Sequence, residues 1–233
     1  MEKTKVKNKK QKVLAFALFT VGMIFIGKGL LDTYNHNKIT NNEKTFFSNK
    51  PIADIEKDGF KINENYIRIE TNTKNNDKKL HIKEYFSYSC PHCYKMEEKV
   101  KEMLGKYPNI IIDREHPGFN ESWRNDARIF YSLKELNIEE KYHDKIMSYS
   151  HEKLFDKDLL SVIDNENDLK NVKKIINNQD KKIDKINYEM GSRHIMGVPT
   201  FVFNDEVIFS MNSANKNLFF DFVDSIYKYY IKK

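Results

Sequence analysis

Cys90-Pro91-His92-Cys93 holds the only two cysteines of the chain, three positions apart, where an apolar run meets a helical pattern. A solitary C-x-x-C cannot be one bridge of a multi-disulfide framework, and it supplies only half of a four-cysteine zinc site. Covalent haem attachment needs histidine directly after the second cysteine, and that position is Tyr94. His143 and His151 stand eight apart, outside the usual histidine spacing of zinc sites. No metal and no cofactor is therefore expected. A purely structural disulfide would close a very short loop and stabilise weakly. Thiol–disulfide exchange is the better use of the pair.

The surrounding residues favour that chemistry. Cys93, Met96, Val100, Met103 and Leu104 recur at helical spacing, with Glu97, Glu98, Lys99 and Lys101 expected to face solvent, and Gly105 and Pro108 mark the end. Pro91 suits the first helical position, where no backbone donor is needed. Cys90 then occupies the N-cap, facing free N–H groups and the positive end of the helix dipole, so its thiolate is stabilised. Cys93 lies on the same face one turn inward. His92 is expected to act as a nearby donor or partial positive charge, which favours the reduced form and makes the disulfide more oxidising.

The helix must be delivered by a strand. Leu80 to Phe86 alternates, with Leu80, Ile82, Glu84 and Phe86 on one face and His81, Lys83 and Tyr85 on the other. Glu84 thus shares the apolar face. The pattern leaves two readings open: a solvated carboxylate at the strand end, or a buried acid with a raised pKa beneath the cysteines. Phe60–Ile62 and Tyr66–Ile69 predict a short strand or hairpin, and 109–114 a second core strand. From about Glu121 to Gly191 the periodicity is helical, in five stripes that include Leu159, Leu160 and Ile163 as a third helix. Strand signals return at 199–203 and 207–209 before a closing amphipathic helix carrying Leu218, Phe222 and Ile226. The expected class is α/β, with helices inserted into a small sheet domain.

The formal charge of +6 is concentrated at one end. Lys3, Lys5, Lys7, Lys9, Lys10 and Lys12 against Glu2 leave residues 13–233 with a net charge of only +1. A nucleic-acid partner is not expected. Residues 1–12 read as a basic cytoplasmic leader and 13–31 as a signal anchor, with the chain beyond them exported and held at the membrane. The uninterrupted apolar stretch Val13 to Gly27 is short of the roughly twenty residues that span a bilayer, but Lys28 can snorkel and Leu30-Leu31 extend it. The alternative is a cleaved signal that leaves a soluble protein. Residues 32–58 read as a polar linker.

Glu84-Tyr85-Phe86-Ser87-Tyr88-Ser89-Cys90-Pro91-His92-Cys93-Tyr94, with Met96-Glu97-Glu98 after it and Gly197-Val198-Pro199-Thr200 late in the chain, resembles the DsbA family of thiol:disulfide oxidoreductases. The resemblance implies a thioredoxin-like fold over 59–118 and 196–233, with an inserted helical domain over 119–195 and a cis Val198–Pro199 bond packed against the cysteines. It implies Cys90 as the reactive thiol, Cys93 as its partner, His92 as the tuning residue and Glu84 as the buried acid that relays a proton to Cys93. Pro91, Val198 and Pro199 are the expected substrate-binding residues. It further implies a periplasmic enzyme that introduces disulfides into cysteine-containing exported polypeptides and is reoxidised by a quinone-linked membrane oxidase. The alternatives are an isomerase or reductase using the same cysteines, and a membrane-anchored chaperone-like binding protein.

Overall fold

The computed structural model describes residues 53–71, 77–152, 158–212, 215 and 217–231. The expected leader 1–12, the signal anchor 13–31 and most of the linker 32–58 lie outside the described residues. Among the described residues no helix is long and apolar enough to cross a membrane.

Five strands form one mixed sheet: β1 (Ile67–Arg68), β2 (Leu80–Tyr85), β3 (Ile110–Glu115), β4 (Thr200–Phe203) and β5 (Val207–Ser210), in the order β1-β5-β4-β2-β3. β2 and β3 are parallel and joined by the helix α2 (Pro91–Lys106), whereas β4 runs antiparallel to β2 and β5 antiparallel to β4. The α1 helix (Ala53–Lys57) precedes the sheet, and α7 (Phe219–Ile231) closes the chain. This is the expected split α/β arrangement. Between β3 and β4 lies the helical insertion: α3 (Glu121–Glu135), α4 (Glu139–Glu152), α5 (Glu166–Ile175) and α6 (Asp180–Ser192).

Two expected elements are shorter than predicted. Of the hairpin over 60–69 only an Ile62–Tyr66 bridge and the two-residue β1 form. Leu159–Val162 is a single 3₁₀ turn capped by Asp158 rather than a third helix. The linker expected over 32–58 also gives way earlier than its polar composition indicated, because Ile55 on α1 is fully buried in the core.

One sheet face carries the apolar core. Leu80 and Ile82 on β2, Phe201 and Phe203 on β4, and Val207 and Phe209 on β5 are buried against Met96, Val100 and Met103 of α2 and Phe219, Phe222, Val223 and Ile226 of α7. Phe222 is the hub: its ring stacks on Phe209 with centroids 4.4 Å apart and meets Phe60 edge-on at 5.0 Å. On the other face Tyr85 is also buried, because α6 covers it and its hydroxyl donates to Glu189 at 2.8 Å.

Candidate active site

Cys90 is the N-cap of α2, in extended backbone conformation, and Pro91 follows at the first helical position. The cap side chain is a thiol: Cys90 Sγ accepts the backbone N–H of Cys93 at 3.2 Å, one of the donors a helix N-terminus leaves unpaired. Both cysteines are unbridged, Cys90 5% exposed and Cys93 fully buried. Burial and sequence position split their acidities. The Cys93 thiol and the N–H groups of Cys93 and His92 stabilise the Cys90 thiolate and bring its pKa down to about 7. Burial pushes Cys93 well up, and the neighbouring Cys90 adds to this. Of the pair, Cys90 is the better nucleophile and leaving group at neutral pH, and Cys93 returns to the thiol form once released.

The late Val-Pro pair is brought beside them. The Val198–Pro199 bond is cis, and the Cys90 thiol lies 3.7 Å from the Val198 carbonyl oxygen, which can accept its S–H. A groove of about 570 Å³ opens there, lined by His92, Lys95, Met96, Lys99, Pro199 and Met211 among others. His92 is exposed on its rim, and what reaches Cys90 is its backbone N–H. Pro91 is exposed at the start of the same helix.

Glu84 is the buried acid rather than a solvated strand end: it is 0% exposed. Burial drives its pKa up to about 7, only partly opposed by the Arg114 guanidinium, whose Nε donates to Oε2 at 3.2 Å. The parallel register of β2 and β3 sets Glu84 directly beside Arg114, so the pair is a consequence of strand order. A carboxyl poised near neutrality is suited to exchange a proton with Cys93, whose own pKa its charge raises.

Three residues of this site were not expected from the sequence. Arg114 is buried with four carboxylates around it: besides Glu84, its guanidinium lies 3.6 Å from Glu97, 3.9 Å from Glu139 and 3.8 Å from Glu140. Glu97, predicted to face solvent, is 5% exposed. It stands four residues after Cys93, on the same helical face, and that spacing was the available signal. His143, on α4, reaches it at 3.2 Å. Glu97, His143 and Asp144 bring potential ligand atoms within 4.8 Å of one another, but Arg114 already faces Glu97 and Lys101 pairs with Asp144 at 2.7 Å. The cationic positions of the cluster are thus filled by side chains. His151 is elsewhere, stacked on Tyr94.

The turn that delivers Cys90 is held by a further histidine. Fully buried His116 accepts the Tyr88 backbone N–H at Nε2 (3.1 Å), while Nδ1 lies 2.8 Å from the Pro117 carbonyl, to which it can donate. Ser89 donates its hydroxyl to Asp126 of the insertion, and the Cys90 N–H donates to Ser87 at 3.0 Å.

Comparison with known proteins agrees with this geometry. The family model described as thioredoxin matches residues 75–219. The thiol:disulfide interchange protein DsbA of Azotobacter vinelandii is 30% identical over 93 residues, which is 39% of this chain and 44% of that protein. The protein of the same name from Pseudomonas aeruginosa is 26% identical over 147 residues, 58% of this chain and 68% of that one. The match therefore spans less than half of the Azotobacter relative. The crystal structure of Pseudomonas aeruginosa DsbA superposes with a TM-score of 0.62 at 20% identity, over 73% of this chain and 94% of that one.

Proposed function

This chain belongs to the thioredoxin family, and on that premise we propose that it is a DsbA-like thiol:disulfide oxidoreductase that introduces disulfides into exported polypeptides. The observation that carries the reading is the asymmetry of the two cysteines: a capped, acidified Cys90 beside the Val198 carbonyl, and a buried Cys93 above Glu84.

In the oxidised protein a substrate thiolate attacks Cys90 Sγ. The Cys90–Cys93 bond breaks, a mixed disulfide forms, and the Cys93 thiolate takes a proton that Glu84 supplies. A second substrate thiolate then attacks the substrate sulfur of the mixed disulfide and releases Cys90 as thiolate. Two electrons pass from substrate to protein, and the substrate leaves with one new disulfide. The low pKa of Cys90 makes it the better leaving group in this last step. Val198 offers backbone beside Cys90 against which an extended substrate segment can align, and Pro91 and Pro199 flank its approach. His92, on the rim of the groove, tunes the Cys90 thiolate through its backbone N–H. A quinone-linked membrane oxidase returns the cysteines to the disulfide. The protein works in the periplasm, held at the membrane by residues 13–31, with residues 32–52 as the spacer; 59–118 and 196–233 form the catalytic module and 119–195 the inserted one.

Oxidation of a reduced two-cysteine peptide by the oxidised full-length chain tests this. One disulfide formed per protein is expected, with Cys90→Ser and Cys93→Ser both inactive because neither can hold the Cys90–Cys93 disulfide that accepts the electrons. Undiminished peptide binding or folding assistance by Cys90→Ser, with no oxidation by the wild type, would favour a binding protein instead.

A further inference from the structure

Behind the cysteines the insertion contributes a group that the exchange steps do not touch. His143 on α4 is 2% exposed, enclosed by the rings of Phe86 and Tyr88 at centroid distances of 5.2 and 5.6 Å. Each of its ring nitrogens faces a carboxylate. Nε2 lies 3.2 Å from Glu97 Oε1 on α2, and Nδ1 lies 3.1 Å from Glu139 Oε1 on its own helix. A neutral imidazole carries one N–H and one lone pair, so it would set that lone pair against one of the two carboxylates. Only the imidazolium sets positive charge against both carboxylates at these ion-pair distances. The same two carboxylates hold the ring in its charged form, with a pKa raised to about 9 despite burial.

We infer that His143 is a positioning residue for the exchange reaction: as a buried imidazolium it shares the charges of Glu97 and Glu139 with Arg114, which lets the guanidinium keep its contact with Glu84 and confines the mobile proton of the cluster to Glu84. The inference rests on the oxidoreductase reading and adds to it the residue that sets the acid.

The charge count supports it. The buried cluster contains two cations, Arg114 and His143, and three carboxyl groups, Glu84, Glu97 and Glu139. With Glu97 and Glu139 ionised it is neutral only when Glu84 holds a proton, and Glu84 is the group nearest in effect to Cys93. The other groups facing this region are Tyr88 from the turn after β2, Lys134 from α3, whose charge acts on Glu139, and Glu140 and Asp144, which are exposed on α4. Loss of the His143 charge would leave Glu97 and Glu139 to Arg114 alone. Its guanidinium would be drawn from Glu84, and Glu84 would bind its proton more tightly. A residue of the inserted domain would thus set the acidity of a group on the sheet. The contact also joins α4 to the helix that carries both cysteines.

The test uses the full-length chain in its oxidised form, where neither cysteine titrates. The protonated-carboxyl infrared band that Glu84→Gln removes is followed from pH 5 to 10. The wild-type midpoint is expected near 7, where burial places Glu84. In His143→Gln the proton affinity of Glu84 should rise about tenfold, one unit of pH, and His143→Lys should restore most of it. An unchanged midpoint in folded His143→Gln overturns the inference. Should that variant fail to fold, nitrogen shifts of the wild-type histidines decide: a His143 doubly protonated at pH 7.5 supports it, and a neutral one overturns it. Failure of the wild type to oxidise a dithiol peptide would instead sink the oxidoreductase reading, and neither spectroscopic result depends on that assay.

Discussion

One face of the sheet has two unlike ends. Where β2 and β3 begin, Leu80, Ile82 and Ile110 meet Val100 and Met103 of α2 and the aromatic cluster around Phe222. Where the same strands end, alternation continues but the residue types change: Glu84 and Arg114 meet Cys93 and Glu97 of the same helix. The geometry is common to both ends and the dielectric consequence is opposite. At the apolar end burial is favourable in itself, and shape complementarity holds α2 on the sheet. At the charged end burial costs free energy, which partner charges offset, and the balance sets which group keeps a proton. The apolar end packs α2 on the sheet, while the charged end acts on Cys93, whose pKa the Glu84 charge helps to raise.

Substitution at each end should separate these effects. Phe222→Ala removes a ring that packs on Phe60, Tyr66, Phe203 and Phe209. It should cost about 3–5 kcal/mol in denaturant unfolding while leaving the pH dependence of Cys90 alkylation in the surviving folded protein unchanged. A shifted alkylation profile would show that the two ends are not independent. Glu84→Gln should do the reverse. The amide keeps shape and can still accept from Arg114, so stability should change little, but the proton supplied to departing Cys93 is lost. Peptide oxidation should slow about 10²-fold in stopped-flow measurements near pH 7, with the initial alkylation rate of reduced Cys90 unaffected. An unimpaired oxidation rate would remove Glu84 from the mechanism.

What could be read in advance follows from how far each feature depends on distant partners. The strand from Leu80, the cysteine helix, its N-cap and the side on which Glu84 points are set by local periodicity, and all four are present in the structure. The DsbA resemblance added the cis Val198–Pro199 bond and its place beside Cys90, which no local pattern reveals. Glu97 was misplaced because it opens a run of charged residues on α2; only a cation from a separate strand and helix makes its burial tolerable. Arg114 acquires its role from parallel register, and His143 from the docking of the insertion, both invisible to a pattern of neighbours. The 3₁₀ turn at Leu159–Val162 has the apolar spacing of a helix without the length to sustain one.

The Cys93 thiol and the backbone N–H groups of the helix N-terminus together make Cys90 a thiolate near neutral pH. The most direct measurement of this is the alkylation rate of Cys90 in the reduced full-length chain across pH 4 to 10, read by site-resolved mass spectrometry. Because the folded environment lowers the pKa, the rate should rise through a midpoint at about 7 and be level by pH 9, with Cys93 unreactive throughout. A midpoint at the ordinary thiol value, about two units higher, would contradict the account.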